Sequence, residues 1–204
     1  MNQASPLQAQ LSPSSTVVLM IDMQNEFVKV GACMAVPGAE ELSVKMNSFA
    51  ETMRSKGFQI IWVRFAVPKP VPYGRSTQKL NRKDIHRGEN MEIFSAIKPD
   101  DGDIIVDKMR SSAFYGTNLE VILRSLKTEN IIIGGVTTHM CVLSTCFDAV
   151  FRDFEIFVMS DLTACLEFKS EGKVIRTAQD MHDFALDLIA YGLGKVITTA
   201  ELGL

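Results

Sequence analysis

The chain has 204 residues, of which 47% are hydrophobic and 22% charged, a composition that argues against intrinsic disorder. Its net charge of −3 argues against general nucleic-acid binding, so no nucleic-acid partner is expected. The polar residues 1–15 lack a signal-peptide pattern, and no apolar run reaches the ~20 residues of a membrane span. We therefore expect one cytoplasmic domain over residues 1–204, with no membrane contact and with four free cysteines.

Short apolar segments of strand length recur along the chain, and helical patterns separate most of them. Six strands are predicted, at residues 16–21, 59–65, 104–107, 131–133, 155–159 and 195–198. Helices are predicted at residues 37–56, 117–127, 138–153 and 170–191. Because the strands are apolar throughout, we expect a parallel sheet that is covered on both faces. The pattern predicts an α/β fold, a three-layer α/β/α sandwich whose six-stranded parallel sheet has the order 3-2-1-4-5-6.

One long segment, residues 66–103, interrupts this alternation and is predicted to be a loop insertion. It has little periodicity and contains four of the seven prolines. Its first part is basic, with Lys69, Arg75, Lys79, Arg82, Lys83 and Arg87 against two acidic residues in 66–90. The segment could be a solvated loop, a lid or a subunit contact, and in the last two cases its charge could attract an anionic substrate.

Three side chains capable of chemistry follow predicted strands. Asp22 ends the first strand, Lys108 ends the third, and Cys141 lies in the first turn after the fourth. Each residue alone is commonly a turn, surface or core residue. Ligands of open parallel sheets bind outside the carboxyl ends of the strands, however, so the joint placement favours a common site.

Helical spacing separates Cys141 from its neighbour Cys146. A buried stripe is predicted at Leu143, Cys146, Phe147, Val150 and Phe154. Cys146 lies on that stripe and is expected to be inert. Cys141 points away from it and lies near a helix N-terminus, where the helix dipole and a nearby lysine would stabilise a thiolate. Cys141 is therefore the predicted nucleophile.

A metal site is not expected, although His139, Cys141 and Cys146 share one segment. Positions 139 and 141 lie about 200° apart around a helix, which opposes joint ligation. The chain contains no CxxC or HExxH pattern. We therefore expect no metal and no cofactor. His86 and His182 are interpreted as surface or packing residues.

Three motifs carry a resemblance to a known family. Asp22 lies in IDMQNEF, Lys108 in DKMRSSAFYGTNL and Cys141 in GGVTTHMCVLSTCFDA. Together with GENMEIFSAIKPDDGD, and in this order over residues 16–165, they resemble the isochorismatase-like cysteine hydrolases. The resemblance implies a six-stranded parallel sheet between helices, a homo-oligomer such as a dimer or tetramer, and hydrolysis of a small amide or ureido compound.

The resemblance also implies a role for each motif residue. Asp22 would take the proton of Cys141 and later give it to the leaving amine, and Lys108 would hold the pair. The Cys141 thiolate would attack a carbonyl carbon and form a thioester. A cis peptide between Val136 and Thr137 would direct the Thr137 N–H and the Cys141 N–H into an oxyanion hole.

One departure from the family pattern narrows the reaction. The family's nicotinamidases carry a metal-binding D-x-H after the second strand, whereas this chain has Arg64-Phe65-Ala66-Val67. The chain is more similar to the metal-free N-carbamoylsarcosine, ureidoacrylate and maleamate amidohydrolases. Two alternatives remain: an isochorismatase-type vinyl-ether hydrolase that uses Asp22, and a non-enzymatic scaffold.

Side chains that flank the strand ends are predicted to face the substrate, although each could equally pack in the core. They are Phe27, Trp62, Arg64, Phe114 and Tyr115. Arg64 and the basic run predict an anionic group on the substrate, because a guanidinium can pair with a carboxylate in bidentate fashion. The aromatic residues predict a small and largely enclosed pocket.

Overall fold

The computed structural model describes residues 11–80 and 85–203. The strands are β1 (Thr16–Ile21), β2 (Gln59–Phe65), β3 (Ile104–Lys108), β4 (Asn130–Val136), β5 (Glu155–Ala164), β6 (Phe168–Ser170), β7 (Lys173–Arg176) and β8 (Lys195–Ile197). The α-helices are α1 (Asn25–Val28), α2 (Ala39–Ser55), α3 (Arg75–Lys79), α4 (Leu119–Ser125), α5 (Leu143–Val150) and α6 (Ala178–Gly192). Shorter helical turns occupy Gly88–Met91, Thr138–Val142 and Ala200–Leu202.

The main sheet has six strands in the order β3-β2-β1-β4-β5-β8, and every adjacent pair is parallel. The predicted fold class and strand order are confirmed, with β8 as the sixth strand because the small β6–β7 sheet precedes it. The order reverses between β1 and β4. The carboxyl ends of these two strands therefore flank the position where open α/β sheets form a crevice.

The central strand β1 shows why the strands are apolar throughout. Its side chains alternate between two cores: Val18 and Met20 pack with α2, whereas Val17, Leu19 and Ile21 pack with α4, α5 and α6. Each fully buried aliphatic side chain contributes about 1.5–3 kcal/mol. Helices cover both faces of the sheet, so no side chain of β1 reaches solvent. Apolar side chains are therefore favoured along the strand.

The predicted helix over residues 170–191 is wrong in its first third. Residues 168–176 form an antiparallel hairpin instead, whose turn places Glu171 at φ 51° and Gly172 at φ 77°. Two successive left-handed residues suit a two-residue hairpin turn. Helix α6 starts after Thr177, whose hydroxyl accepts the N–H of Asp180 while the Asp180 carboxylate accepts the N–H of Thr177. This capping box fixes the helix start.

Residues 66–103 start at the carboxyl end of β2 and finish at the amino end of β3, where the Gly102 carbonyl accepts a hydrogen bond from Gln59, and they contain two short helical elements, α3 and the turn Gly88–Met91. The buried Gln24 amide donates hydrogen bonds to the carbonyls of Phe65 (3.0 Å) and Met91 (2.8 Å). The Arg87 guanidinium donates to the carbonyls of Val67 and Val71. Arg87 therefore stabilises the segment 66–103 through hydrogen bonds within it. Arg82 and Lys83 of the predicted basic run lie outside the described residues.

No helix in residues 11–80 and 85–203 is both long enough and apolar enough to cross a membrane. The same residues include all four cysteines, and each of them is a free thiol.

Candidate active site

The first site residue, Asp22, follows β1 directly. Its backbone is left-handed, with φ 55°, and its N–H donates to the carbonyl of Val63 on β2 (2.9 Å). Aspartate tolerates this conformation better than most residues. The sharp turn ends β1 and leaves a fully buried carboxylate at the edge of the sheet.

The second site residue, Lys108, ends β3, two strands away from β1. Its side chain passes the end of β2, where Nζ lies 4.2 Å from the centre of the Phe65 ring. The ammonium meets three groups: Asp22 Oδ2 at 2.8 Å, the Arg110 carbonyl at 3.1 Å and Cys141 Sγ at 3.2 Å. The contacts with Arg110 and Cys141 are hydrogen bonds and the contact with Asp22 is an ion pair, so the ammonium is held between the carboxylate and the thiol.

Lys108 remains a cation in this buried position. Burial acts to lower the pKa of its ammonium, but the charge of Asp22 and the contact with Cys141 outweigh burial and raise the pKa above its ordinary value. The charged lysine therefore joins the carboxylate and the thiol at neutral pH.

Glycine allows β4 to bring the cysteine close to β1. Gly135 has φ 122°, and a Cβ atom there would lie 2.1 Å from the carbonyl oxygen of Ile21. Strand β4 thus extends past the predicted residues 131–133 and through both glycines. The peptide bond between Val136 and Thr137 is cis. A π-helical turn at Thr138–Val142 then carries Cys141, and the regular helix α5 starts only at Leu143.

The protonation of the Cys141 thiol differs from the sequence prediction. Burial and the charge of Asp22 raise the pKa of Cys141 from 9.0 to about 12, although Lys108 acts in the opposite direction. Lys108 favours the thiolate, as expected, but burial and Asp22 outweigh this effect, so no resting thiolate forms. The thiol is protonated at neutral pH, so its reactivity depends on a base, and Asp22 is the carboxylate whose charge acts on it.

The neighbouring Cys146 lies where the sequence placed it, in the core. It is fully buried, and burial raises the pKa of its thiol. The rest of the predicted stripe is only partly correct, since Phe147 is 39% exposed. Helix α5 buries Thr145, Cys146 and Ala149, which lie on one face, and Phe147 is turned about 100° from Cys146.

A cavity of about 230 Å³ opens at Cys141. Its polar lining comes from Ser76, Thr77, His86, Ser111, Thr137 and His139. Its apolar lining comes from Phe27, Met34, Phe65, Leu80, Met140 and Leu166. Another cavity, of about 220 Å³, is lined by apolar side chains and Lys56 near the amino ends of the strands, and it contains no nucleophile. The cavity at Cys141 therefore brings the candidate nucleophile to a space that a small ligand can enter.

Only one of the five predicted substrate-facing side chains, Phe27, lines this cavity. Trp62 lies in the core between the sheet and α2, and its indole N–H donates to Asp103 Oδ2 at 2.8 Å. Phe114 is buried on the other side of the sheet and stacks on Phe154. The interpretation of Trp62 and Phe114 as pocket residues is wrong, because both are core residues.

The two remaining predicted residues also lie away from the cavity. Arg64 makes a bidentate ion pair with Asp107 on β3, at 2.7 and 2.9 Å. Tyr115 is 65% exposed. Side chains alternate between the two faces of β2, which explains this error. Trp62 and Arg64 lie on one face of the strand, whereas Phe65 lies on the opposite face and lines the cavity. The reason given for an anionic substrate therefore fails for Arg64, whose charge is paired.

A buried acid–base pair at the cavity is absent from the predicted site residues. Glu26, on α1, accepts the backbone N–H of His86 at Oε2 (2.7 Å), and Oε1 contacts His86 Nδ1. His86 is buried and lines the cavity, so its interpretation as a surface or packing residue is incomplete. The acidic residue of the NEF motif was a signal for Glu26. Nothing local indicated His86, which lies 60 residues further along the chain.

The other histidines make single contacts rather than metal-like clusters. His139 Nδ1 lies 2.7 Å from Cys165 Sγ, and burial lowers the pKa of His139. His182 Nδ1 lies 2.9 Å from the hydroxyl of Thr138. Within residues 11–80 and 85–203, no group of three or more His, Cys, Asp or Glu side chains could hold a metal ion.

Comparisons with known proteins identify a family and a similar fold. The sequence profile of the isochorismatase domain matches residues 16–201. A probable inactive nicotinamidase of Arabidopsis thaliana is 32% identical over 164 residues, covering 74% of this chain and 81% of that protein. A ureidoacrylate amidohydrolase of Caulobacter segnis is 28% identical over 183 residues, covering 78% and 77%. The crystal structure of a cysteine hydrolase from Pseudomonas syringae pv. phaseolicola matches with a TM-score of 0.88 and 28% identity, covering 94% and 92%.

Proposed function

Because the chain belongs to the isochorismatase family of hydrolases, we propose that it hydrolyses a small amide or ureido C–N bond through Cys141 and releases ammonia. One observation carries this proposal: Lys108 Nζ joins Asp22 Oδ2 and Cys141 Sγ at 2.8 and 3.2 Å beside the cavity that Cys141 lines. Relatives named as amidohydrolases support it. One relative is named inactive, whereas this chain has all three chemical groups.

The first half of the reaction forms a thioester. Asp22 takes the thiol proton, and Lys108 stabilises the thiolate that results. The sulfur attacks the substrate's carbonyl carbon, and backbone N–H groups of Thr137 and Cys141 stabilise the oxyanion. The C–N bond then breaks, and the proton held by Asp22 goes to the leaving nitrogen, so ammonia departs as a neutral molecule.

The second half consumes one water molecule. Asp22, again a carboxylate, takes a proton from water while the water oxygen attacks the thioester carbon. The C–S bond breaks, and the proton returns to sulfur. Each turnover therefore converts an amide and water into a carboxylic acid and ammonia, and the thiol is regenerated. A carbamoyl substrate gives a carbamic acid, which loses carbon dioxide.

The proposal includes the setting of the enzyme. Free thiols suit a reducing compartment, and we infer a cytoplasmic hydrolase of one domain. We also infer a homo-oligomer, because large apolar side chains such as Phe151 (73% exposed) lie on the surface. Light scattering after gel filtration measures this directly, and a monomer at micromolar concentration would contradict it.

The test of the reaction is an ammonia-coupled assay across a panel of small substrates. The panel contains N-carbamoyl amino acids, ureido acids, maleamate, nicotinamide and neutral ureas, and isochorismate is assayed separately. We expect ammonia from at least one amide or ureido compound, and none from the Cys141→Ala variant. Turnover of isochorismate alone would instead support a vinyl-ether hydrolase that uses Asp22, and no turnover of any compound would favour a scaffold.

A further inference from the structure

The buried pair Glu26–His86 has no part in the proposed reaction, although it lines the same cavity. The side chains are almost completely enclosed, with residue exposures of 0% and 3%. Both carboxylate oxygens of Glu26 face His86, one at the backbone N–H and the other at Nδ1. A buried carboxylate is costly without such partners. The pair therefore forms one rigid polar unit in the cavity wall.

The imidazole ring of His86 is fixed from several sides. The Phe65 ring stacks on it with 3.5 Å between centres and 9° between planes, and the Phe27 ring centre lies 6.0 Å away. The backbone of His86 is left-handed, with φ 58°, and its carbonyl accepts the N–H of Val67 at 2.9 Å. The ring orientation is thus set before a ligand enters, which lowers the entropic cost of binding.

The second ring nitrogen, Nε2, remains for a ligand. In the part of the chain that the structure describes, no hydrogen bond involves His86 Nε2. A carboxylate accepts hydrogen bonds only, so the contact with Glu26 requires the proton on Nδ1. In the neutral imidazole, Nε2 is then a hydrogen-bond acceptor. The cavity thus offers a fixed acceptor in addition to the thiol.

The charges around the cavity favour a neutral ligand group. The Glu26 carboxylate lies directly behind His86 in the cavity wall, whereas the Lys108 ammonium is already engaged by Asp22, the Arg110 carbonyl and Cys141. No lysine or arginine lines the cavity among the described residues. A carboxylate in the ligand would therefore meet repulsion at low dielectric. An uncharged N–H group meets none and can donate to His86 Nε2.

We propose that Glu26 and His86 form the specificity site of this enzyme, and that His86 Nε2 accepts a hydrogen bond from a second N–H group of the substrate, distinct from the scissile bond. This inference rests on the proposed amide or ureido hydrolysis. It names the substrate class as a small neutral compound that carries, outside the group that is hydrolysed, an amide N–H. Glu26 acts as the positioning residue, because it fixes which ring nitrogen faces the ligand.

Calorimetric binding to the Cys141→Ala protein tests the proposal without turnover. Three matched probes are used: N-carbamoylglycinamide, its methyl ester analogue and N-carbamoylglycine. They offer an N–H donor, an acceptor only and a carboxylate at the same position. We expect the amide to bind at least ~10-fold more tightly than the ester, since an unpaired buried acceptor is costly. The carboxylate is expected to bind most weakly.

Two substitutions in the Cys141→Ala background test whether His86 and Glu26 cause the tighter binding of the amide. Asparagine in His86→Asn can still donate to Glu26 but has no atom at Nε2, so the preference for the amide should fall below ~2-fold. Glutamine in Glu26→Gln can donate to His86 Nδ1, which places the ring proton on Nε2, so the preference should shift towards the ester. His182→Asn, a histidine outside the cavity lining, serves as the matched control and should keep the preference.

The outcomes separate this inference from the proposed reaction. Equal binding of amide and ester, tightest binding of the carboxylate, absence of binding by all three probes, or a preference that survives both His86→Asn and Glu26→Gln would overturn it. If binding follows the expected pattern but the wild-type protein releases no ammonia from N-carbamoylglycinamide, only the hydrolysis proposal is weakened. Ammonia release with no amide preference would remove the specificity site alone. Melting temperatures of all variants confirm that each is folded.

Discussion

The resting state of the nucleophile decides how the three proposed catalytic residues divide their roles. The pKa of Cys141 is raised to about 12 by burial and by Asp22, while Lys108 opposes both effects. A protonated thiol beside a carboxylate must lose its proton before it can attack, whereas the thiolate of a preformed thiolate–cation pair can attack directly. In the proposed mechanism the proton transfer to Asp22 is therefore part of the reaction, and Lys108 stabilises the product of that transfer.

The two buried cysteines should respond differently to alanine substitution. Cys141→Ala is expected to remove essentially all turnover with the fold intact, because the attacking sulfur is lost. Cys146→Ala should keep substantial activity and lose only about 1 kcal/mol of stability, since it removes one small core atom. The ammonia assay and thermal unfolding measure both effects. In iodoacetamide mapping, faster labelling of Cys146 or Cys165 than of Cys141 would contradict the assignment.

Asp22→Asn should separate reactivity from catalysis. Turnover should fall by at least ~10², because the general base is lost. The pKa of Cys141 should fall from about 12 at the same time, since a negative charge that disfavours the thiolate has been removed. The measurements are kcat/KM and the pH dependence of Cys141 alkylation, whose midpoint should move to lower pH.

The Lys108→Met substitution should change the pKa of Cys141 in the direction opposite to Asp22→Asn. Turnover should fall comparably, but the alkylation midpoint should move to higher pH, because the removed cation favours the thiolate. Near-normal kcat/KM in either variant would refute the triad. Midpoints that move in the same direction in both variants would refute the division of roles.

At the scale of elements, local sequence signals were sufficient where an element depends on its own residues. The Thr177-x-x-Asp180 pattern marks the start of α6. The predicted helix does not take this capping pattern into account, and it therefore starts too early. The alternation of β2 could have separated Phe65 from Trp62 and Arg64. Nothing local reveals the π-helical turn at Thr138–Val142, because it depends on how β4 meets the neighbouring strands.

Gly135 should be a requirement of the β1–β4 contact. A Cβ atom at this position would lie 2.1 Å from the Ile21 carbonyl oxygen, so Gly135→Ala should lose at least ~4 kcal/mol or fail to fold. Gly172→Ala is the control, since Gly172 also has a positive φ but an open surrounding, and should cost about 1–2 kcal/mol. Thermal unfolding compares them. A Gly135→Ala protein that melts within a few degrees of the wild type would show that the strands can separate locally.

At the scale of the whole molecule, the fold and the triad were predictable for one physical reason. Parallel strands covered on both faces are apolar throughout, so they stand out in the sequence, and their carboxyl ends meet at one edge. Asp22, Lys108 and Cys141 follow three such ends. The Glu26–His86 pair was not predictable, because it joins α1 to a segment without periodicity. Long-range pairing of that kind leaves no pattern around His86, and the motif that contains Glu26 does not indicate its partner.

The charge distribution of the whole site predicts that turnover requires no metal ion. A metal would supply a positive charge to the nucleophile and the oxyanion, and here the fixed ammonium of Lys108 and the backbone N–H groups of Thr137 and Cys141 are proposed to supply both. Prolonged dialysis against a chelator should therefore leave kcat/KM unchanged within ~2-fold, with metal removal checked by elemental analysis. The Lys108→Met protein, assayed with and without added zinc, tests whether a metal can replace the ammonium, and no rescue is expected. Wild-type activity that is lost on dialysis and restored by zinc or iron would contradict the metal-free reaction.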